Sequence, residues 1–491
     1  MYKLLACVAL GALFSSCASS DKATTDESAN YRPVYHYTPE KNWVNDPNGL
    51  VYLDGEYHLF YQYNPFGDTW GHMSWGHAVS KDLTTWEELP LALPEYTNAD
   101  STETMIFSGS AVVDSLNTSG FFEPGFTKGL VAIYTSHVHD GKDGLLQHQS
   151  LAYSSDKGRT WTYHDQNPVL DIGLKDFRDP SVFWHEGKWK MIVAIPLEFK
   201  VQIYESNNLK NWKLLSEFGN MGDVAKIWEC PSLFPVPVEN SDQKKWVMMI
   251  SSAAENTEYT GMQYFVGDFD GKRFTPQKQD EILRIDHGKD FYAAIPFNNL
   301  PASQNKPIII GWANSWNYGG KLPTEGFRGT FSMGRKLSLR NDNGVYKLTQ
   351  VPVYAEATPA QTLTLSPSDL ASGKTIEMDG NSYRLSLTID LTEAKGFSID
   401  LLQNEGESTV LTYDVASEVL AFDRTKSGNV TFHEEFASVD PMPVAPKNNQ
   451  VRLDIYVDNS IVEVYANGGE QVMTQQVFPT KGKGKVVISG K

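Results

Sequence analysis

Three carboxylates in this chain stand close to prolines and among aromatic residues. They are Asp46 in Trp43-Val44-Asn45-Asp46-Pro47-Asn48-Gly49, Asp179 in Phe177-Arg178-Asp179-Pro180, and Glu229 in Trp228-Glu229-Cys230-Pro231. Each has an ordinary reading by itself. Asp46 suits the first position of a type I turn, Arg178-Asp179 suits a surface ion pair, and Glu229 suits a strand end. Together they point to chemistry. Proline fixes its own φ and restricts the residue before it, so an acid beside it is held in a set direction. Apolar neighbours are also not where solvated charge sits. Two aimed carboxylates are what glycosidic bond cleavage requires: one protonates the leaving oxygen, and the other attacks the anomeric carbon or activates water. Apolar surroundings and a nearby negative charge raise the pKa of one of them. Hydrogen bonds from Asn45 or Arg178 can keep a partner ionised.

The elements that must position these acids are strands. Runs such as LVAIYTS, KWKMIVAI, KWVMMIS, PIIIGWA and YRLSLTIDL dominate, and long amphipathic helices are scarce, so the fold class is all-β. A loose repeat of strand, polar turn and aromatic recurs at residues 78–89, 152–164, 203–215 and 266–277, with Trp86, Trp161, Trp212 and Phe274 as the aromatics. Its spacing of roughly 50–75 residues is the scale of propeller blades and gives about five blades of four strands. From about residue 356 tryptophans vanish and short regular strands follow, a β-sandwich pattern. The expected organisation is a five-bladed β-propeller over 34–340, a linker over 341–355 and a β-sandwich over 356–491. Propellers gather ligand-binding residues from different blades at one end of a central channel, which is where three acids so far apart in sequence can meet.

The chain has 491 residues, enough for two domains, and a formal net charge of −18. That charge argues against nucleic acid as a partner. No apolar run of about 18 residues is present to span a membrane as a helix. The N-terminus has an export pattern: Lys3, an apolar run from Leu4 to Phe14, then Ser15-Ser16-Cys17. This resembles a bacterial lipoprotein cleavage box, with 1–17 as signal peptide, Cys17 as the lipidated residue and 18–33 as a polar tether. An ordinary secretory signal is the alternative. The three cysteines are Cys7, Cys17 and Cys230, so the mature chain has no intramolecular disulfide to form. No Cys/His cluster has zinc spacing, and neither metal nor cofactor is expected.

The three acid motifs, in this order, resemble glycoside hydrolase family 32, the β-fructofuranosidases, which include invertases, inulinases and levanases. Further blocks extend the resemblance over about residues 34–491: YQYNP (61–65), TWGHMSWGHAVSKDLTTW (69–86), FSGSAV (107–112), DHGKDFYAA (286–294), GWANSW (311–316) and YVDNSIVEVYANGG (456–469). The resemblance implies the propeller-plus-sandwich fold and a retaining mechanism. In it Asp46 is the nucleophile, Glu229 the acid/base, and Asp179 the transition-state stabiliser. It implies a substrate-binding site formed by Trp43, Asn45, Gln62, Trp70, Phe107, Ser108, Arg178, Cys230 and Trp312, of which Asn45, Gln62, Trp70, Ser108 and Trp312 match positions lining the fructosyl subsite. The retaining mechanism sets the two reacting carboxyl groups about 5–5.5 Å apart. The expected substrate is a fructan, levan or inulin, with sucrose as a further candidate, and a tryptophan-rich entrance (Trp70, Trp75, Trp312, Trp316) favours exo release of fructose. Endo action is the alternative. So is a surface lipoprotein that binds fructan without cleaving it, although such a protein has no need of a paired acid and nucleophile. A sialidase is a weaker alternative, since Ser154 to Trp161 fits an Asp-box, but that box occurs once and stabilises turns.

Overall fold

The computed structural model describes residues 30–225, 227–253, 261–279, 281–354 and 358–491. The expected signal peptide with Cys17, and the tether as far as residue 29, lie outside the described residues. Strands are the dominant regular element of the described residues, and the only α-helix among them is short, Pro367–Ser372. The all-β expectation holds.

Five antiparallel sheets succeed one another along the first part of the chain. Their inner strands are Asn42–Leu53 (sheet I), Glu103–Val113 (II), Arg178–His185 (III), Ile227–Pro237 (IV) and Tyr292–Pro296 (V). Each inner strand packs against that of the next sheet, and that of V packs against that of I. In addition, Phe327–Arg328, from the loop of sheet V, pairs in parallel with Asn42–Trp43 of sheet I. Residues of all five inner strands line a narrow cavity of about 20 Å³, among them Leu50, Ser110, Ser181, Pro231 and Pro296. Strands next to them are buried on both faces, as the unbroken buried run Met191–Ile195 records.

The repeat seen in the sequence marks the outer strands. Trp86 and Phe274 open the fourth strands of sheets I and IV, and Trp161 and Trp212 immediately precede those of II and III. The polar turns before Trp86, Trp161 and Trp212 are pinned by their own side chains, Ser80 donating to Asp82, Ser154 to Asp156 and Ser206 to Asn208, and before Phe274 Asp270 accepts from the Lys272 and Arg273 amides. Asp156, the Asp-box acid, accepts from the Thr160 amide and hydroxyl, a turn-holding role. The stretch 341–355 differs from its expected role as linker. Val345–Pro352 is the fourth strand of sheet V, paired with Arg335–Asp342 through the turn at Asn343-Gly344.

The second part forms a five-stranded and a six-stranded sheet whose apolar faces share one core. Its strands alternate cleanly; Ser382–Asp390 buries every second residue. The two parts meet over buried charge. Arg335 binds Asp286 and Glu463 at 2.9 Å each, and Arg424 binds Asp290 at 2.7 Å, all fully buried. His36 bridges Asp458 and Glu463 at 2.9 and 3.0 Å. Residues 31–33, expected in the tether, are instead docked: Ser460 and Asn459 donate to the Tyr31 and Arg32 carbonyls.

Candidate active site

All five inner strands break register at the same level. The irregularities lie at Val44–Pro47, Ile106–Gly109, Arg178–Ser181, Glu229–Ser232 and Tyr292–Ile295. A bulge inserts an unpaired residue and re-aims its side chain. This explains why prolines accompany the acids: Pro47, Pro180 and Pro231 sit where no ladder donor is needed. Asp179 and Cys230 hold φ of 67° and 47° there, a left-handed conformation that costs non-glycine residues about 1–3 kcal/mol and persists only where neighbours enforce it. Here the neighbours are explicit. The Asp179 amide donates to Thr135 Oγ1, and the Cys230 amide donates to Asp179 Oδ2 at 2.9 Å.

The bulges open onto one pocket of about 360 Å³. Asp46, Asp179 and Glu229 all line it, with Asn45, Gln62, Trp70, Phe107, Ser108 and Arg178. Asp46 and Asp179 lie deep and buried, while the Glu229 side chain keeps 21% of its surface exposed. Asp46 Oδ2 accepts from Ser108 Oγ at 2.6 Å, and Oδ1 from Asn45 Nδ2 at 3.0 Å. Trp43 Nε1 donates to Asn45 Oδ1 and so fixes which end of that amide faces Asp46. Glu229 Oε1 accepts from Arg178 Nε and Nη2 at 3.0 and 2.9 Å, and Oε2 from the Tyr292 hydroxyl at 2.7 Å. Cys230 Sγ lies 3.5 Å from Asp46 Oδ2 and 3.7 Å from Asp179 Oδ2, a thiol between two acids.

Three predicted residues do not line the pocket. Trp43 and Trp312 are buried behind it, and both pack against Trp316, at ring separations of 6.0 and 4.9 Å. Trp316 is the ring that faces the cavity. Cys230 lies beneath, lining the narrow cavity between the inner strands. The expected entrance of four tryptophans is therefore two: Trp70 and Trp316 are 47% and 37% exposed, whereas Trp75 and Trp312 are fully buried. Reading the sequence also missed His137, Gln147 and Asp176 in the pocket wall. Gln147 stands on the strand Gly144–Ser154 as a buried polar residue, a burial that the sequence alone does not mark.

The electrostatics follow from burial. Desolvation raises the Asp46 pKa, the Ser108 hydrogen bond opposes this, and the negative charge of Glu229 reinforces it. Asp179 is pushed up to about 7, by burial first, with Arg178 opposing and Glu229 and Asp46 adding to it. Burial works against the charge on Arg178, but Glu229 and then Asp179 overcome it and raise its pKa. One fixed cation, Arg178, thus sits among three acids, two of which, Asp46 and Asp179, are pushed upward by burial and by neighbouring negative charge. A deep carboxylate and a pocket-facing one, across the same cavity, can act as nucleophile and proton donor on one bond.

The sequence carries a family signature along its whole described length. The family model described as glycosyl hydrolases family 32 N-terminal domain matches residues 36–352, and that described as glycosyl hydrolases family 32 C terminal matches 346–490. The chain belongs to glycoside hydrolase family 32. As a family 32 member it is a glycosidase. It is 43% identical over 482 residues to a levanase of Bacillus subtilis, covering 95% of this chain and 69% of that protein. It is 42% identical over 486 residues to an extracellular exo-inulinase of Aspergillus ficuum, covering 92% and 90%. Among solved structures, the exo-inulinase of Aspergillus awamori superimposes with a TM-score of 0.85 at 38% identity, covering 95% of this chain and 96% of that one. The fructofuranosidase of Schwanniomyces occidentalis in complex with fructose gives 0.82 at 33%, covering 95% and 96%.

Proposed function

We propose that this family 32 chain is a retaining β-fructofuranosidase that releases fructose from the ends of levan or inulin and also cleaves sucrose. The observation that carries this is the convergence of Asp46 and Glu229 on one pocket, with Asp179 and Arg178 beside them. Asp46, ionised and steadied by Ser108 and Asn45, attacks C2 of the fructosyl unit as the C2–O bond breaks. Glu229 gives its proton to the departing oxygen. Water then adds to C2, its proton passes to Glu229, and the Asp46 ester is released. Positive charge develops at C2 in the transition state of each step, and Asp179 lies beside it to oppose that charge. The two reacting carboxyls then lie about 5–5.5 Å apart, and the first product is β-fructose.

The pocket is capped by Trp70 and Trp316, and a capped pocket takes a chain end more readily than a chain middle. Names of relatives such as exo-inulinase support the same reading. A time course on levan, inulin and sucrose tests it: fructose as the sole early product is expected, and early oligosaccharides contradict exo action. We further propose that the five successive sheets close into a five-bladed propeller, ending near residue 352, and that the two later sheets form a β-sandwich domain. The contact between the inner strands of sheets V and I supports closure. Finally, we propose export with lipid attachment at Cys17, on the pattern of residues 1–17 alone. Labelled fatty acid that enters the wild-type protein and not Cys17→Ala is the expected result.

A further inference from the structure

The pocket has a wall that the proposed chemistry does not use. His137 and Phe107 stack face to face, with ring centroids 4.4 Å apart and planes within 6°, and Trp70 meets Phe107 edge-on at 6.1 Å. All three line the pocket. Gly144 makes room for this arrangement, since a Cβ there would lie 2.7 Å from His137 Cε1.

The protonation of His137 is set by its neighbours. Gln147 Oε1 accepts from the Phe177 amide at 2.9 Å and from Arg178 Nη1 at 3.2 Å. Both are obligate donors, so the amide orientation is fixed. Gln147 Nε2 therefore faces His137 Nδ1, 3.2 Å away, as a donor. With Nδ1 accepting, a neutral imidazole carries its proton on Nε2. Neutrality is enforced in turn: burial, then the charges on His139 and Arg178, lower the His137 pKa to about 4. A flat, neutral ring with a single N–H donor, mounted on an aromatic plate, suits a hydroxylated ring better than an ion.

We propose that His137 is the residue that recognises the leaving sugar, through its Nε2–H and the Phe107 plate behind it. The depth of the pocket fixes the order of the two sugars. Asp46, Asp179, Ser108 and Gln62 are buried at the floor, where the fructosyl unit must sit to be attacked. Phe107 and His137 stand between that floor and the exposed rim at Trp70, where the departing sugar leaves. This assignment rests on the β-fructosidase reading above and adds the residue that selects for a sugar on the far side of the bond.

His137→Phe tests it, because it keeps a plane against Phe107 while removing the Nε2 donor; the Nδ1 acceptor lost with it faces Gln147. kcat/KM is measured for sucrose, for an inulin trisaccharide and for methyl β-fructofuranoside. Departing methanol needs the same proton from Glu229 but has no sugar ring. The ratio of either sugar substrate to the methyl fructoside falls by about tenfold or more in the variant, the loss of roughly one hydrogen bond. A ratio within about twofold of wild type overturns the proposal, since a merely structural role lowers all three together. If His137→Phe fails to fold, His137→Ala is held to the same thresholds. Wild-type protein that cleaves none of the three refutes the β-fructosidase reading itself and is thereby distinguished.

Discussion

Replacing Arg178 with Lys keeps a positive charge but removes a fork. Arg178 reaches Glu229 Oε1 with Nε and Nη2 at 3.0 and 2.9 Å, while Nη1 holds Asp176 at 2.8 Å and Gln147 at 3.2 Å. A lysine ammonium is one point and cannot reproduce that geometry. At least one charge-assisted bond to Glu229 is lost, worth about 1.5–3 kcal/mol. If Glu229 is thereby misplaced in the transition state, kcat/KM for sucrose falls about 10- to 150-fold. Glu229 acts on the leaving oxygen, so the loss depends on the leaving group. An aryl β-fructofuranoside, whose phenolate departs with less need of a proton, is affected less. The assay is kcat/KM on both substrates, with a thermal melt to confirm folding. Activity within about threefold of wild type on sucrose, or equal losses on the two substrates, refutes the idea that Arg178 positions the proton donor.

Two further outcomes follow from the charges. The Asp46 pKa is raised by burial, so activity is lost as pH falls through that raised value; Ser108 lowers it, and Ser108→Ala therefore moves the acid limb of the kcat/KM profile to higher pH. An unmoved limb contradicts the assignment of that limb to Asp46. His36, joining the two parts of the chain, is raised to about 9: burial opposes its charge, and hydrogen bonds to Asp458 and Glu463 more than compensate. Its contribution, on the order of 3 kcal/mol, is complete below about pH 6.5 and disappears as pH rises through about 9. Urea unfolding of wild type and His36→Gln differs at pH 6 and converges by pH 10, whereas a constant gap contradicts it.

Much of the architecture was legible because its repeats are local. A Ser-x-Asp or Ser-x-Asn turn followed by an aromatic is short-range chemistry, and it marked the outer strands of three sheets, while an Asp-Gly turn before Phe274 marked a fourth. The fifth outer strand went unread because its turn, Asn341-Asp342-Asn343-Gly344, is followed by Tyr346 and resembles a linker. The acids were legible for a related reason: a bulge without a ladder donor tolerates proline, so Asp46-Pro47, Asp179-Pro180 and Cys230-Pro231 left a trace. His137 left none, and Trp316 was legible only as one of four entrance tryptophans. His137 lies on an ordinary-looking strand, and which of Trp312 and Trp316 faces the cavity is decided by a loop between sheet V strands. The tryptophans also show that residue type does not give depth: Trp75 is fully buried, with Nε1 donating to the Phe107 carbonyl.

The central claim is that Asp46 forms a bond to the sugar. Glu229→Gln treated with β-fructofuranosyl fluoride tests it most directly, because fluoride leaves without an acid and the second step lacks its base. Rapid quenching and peptide mass spectrometry then find one fructosyl group, carried as an ester on Asp46. Fluoride release with the fructosyl group on another residue, or with none on the protein and α-fructose as the first product, contradicts it.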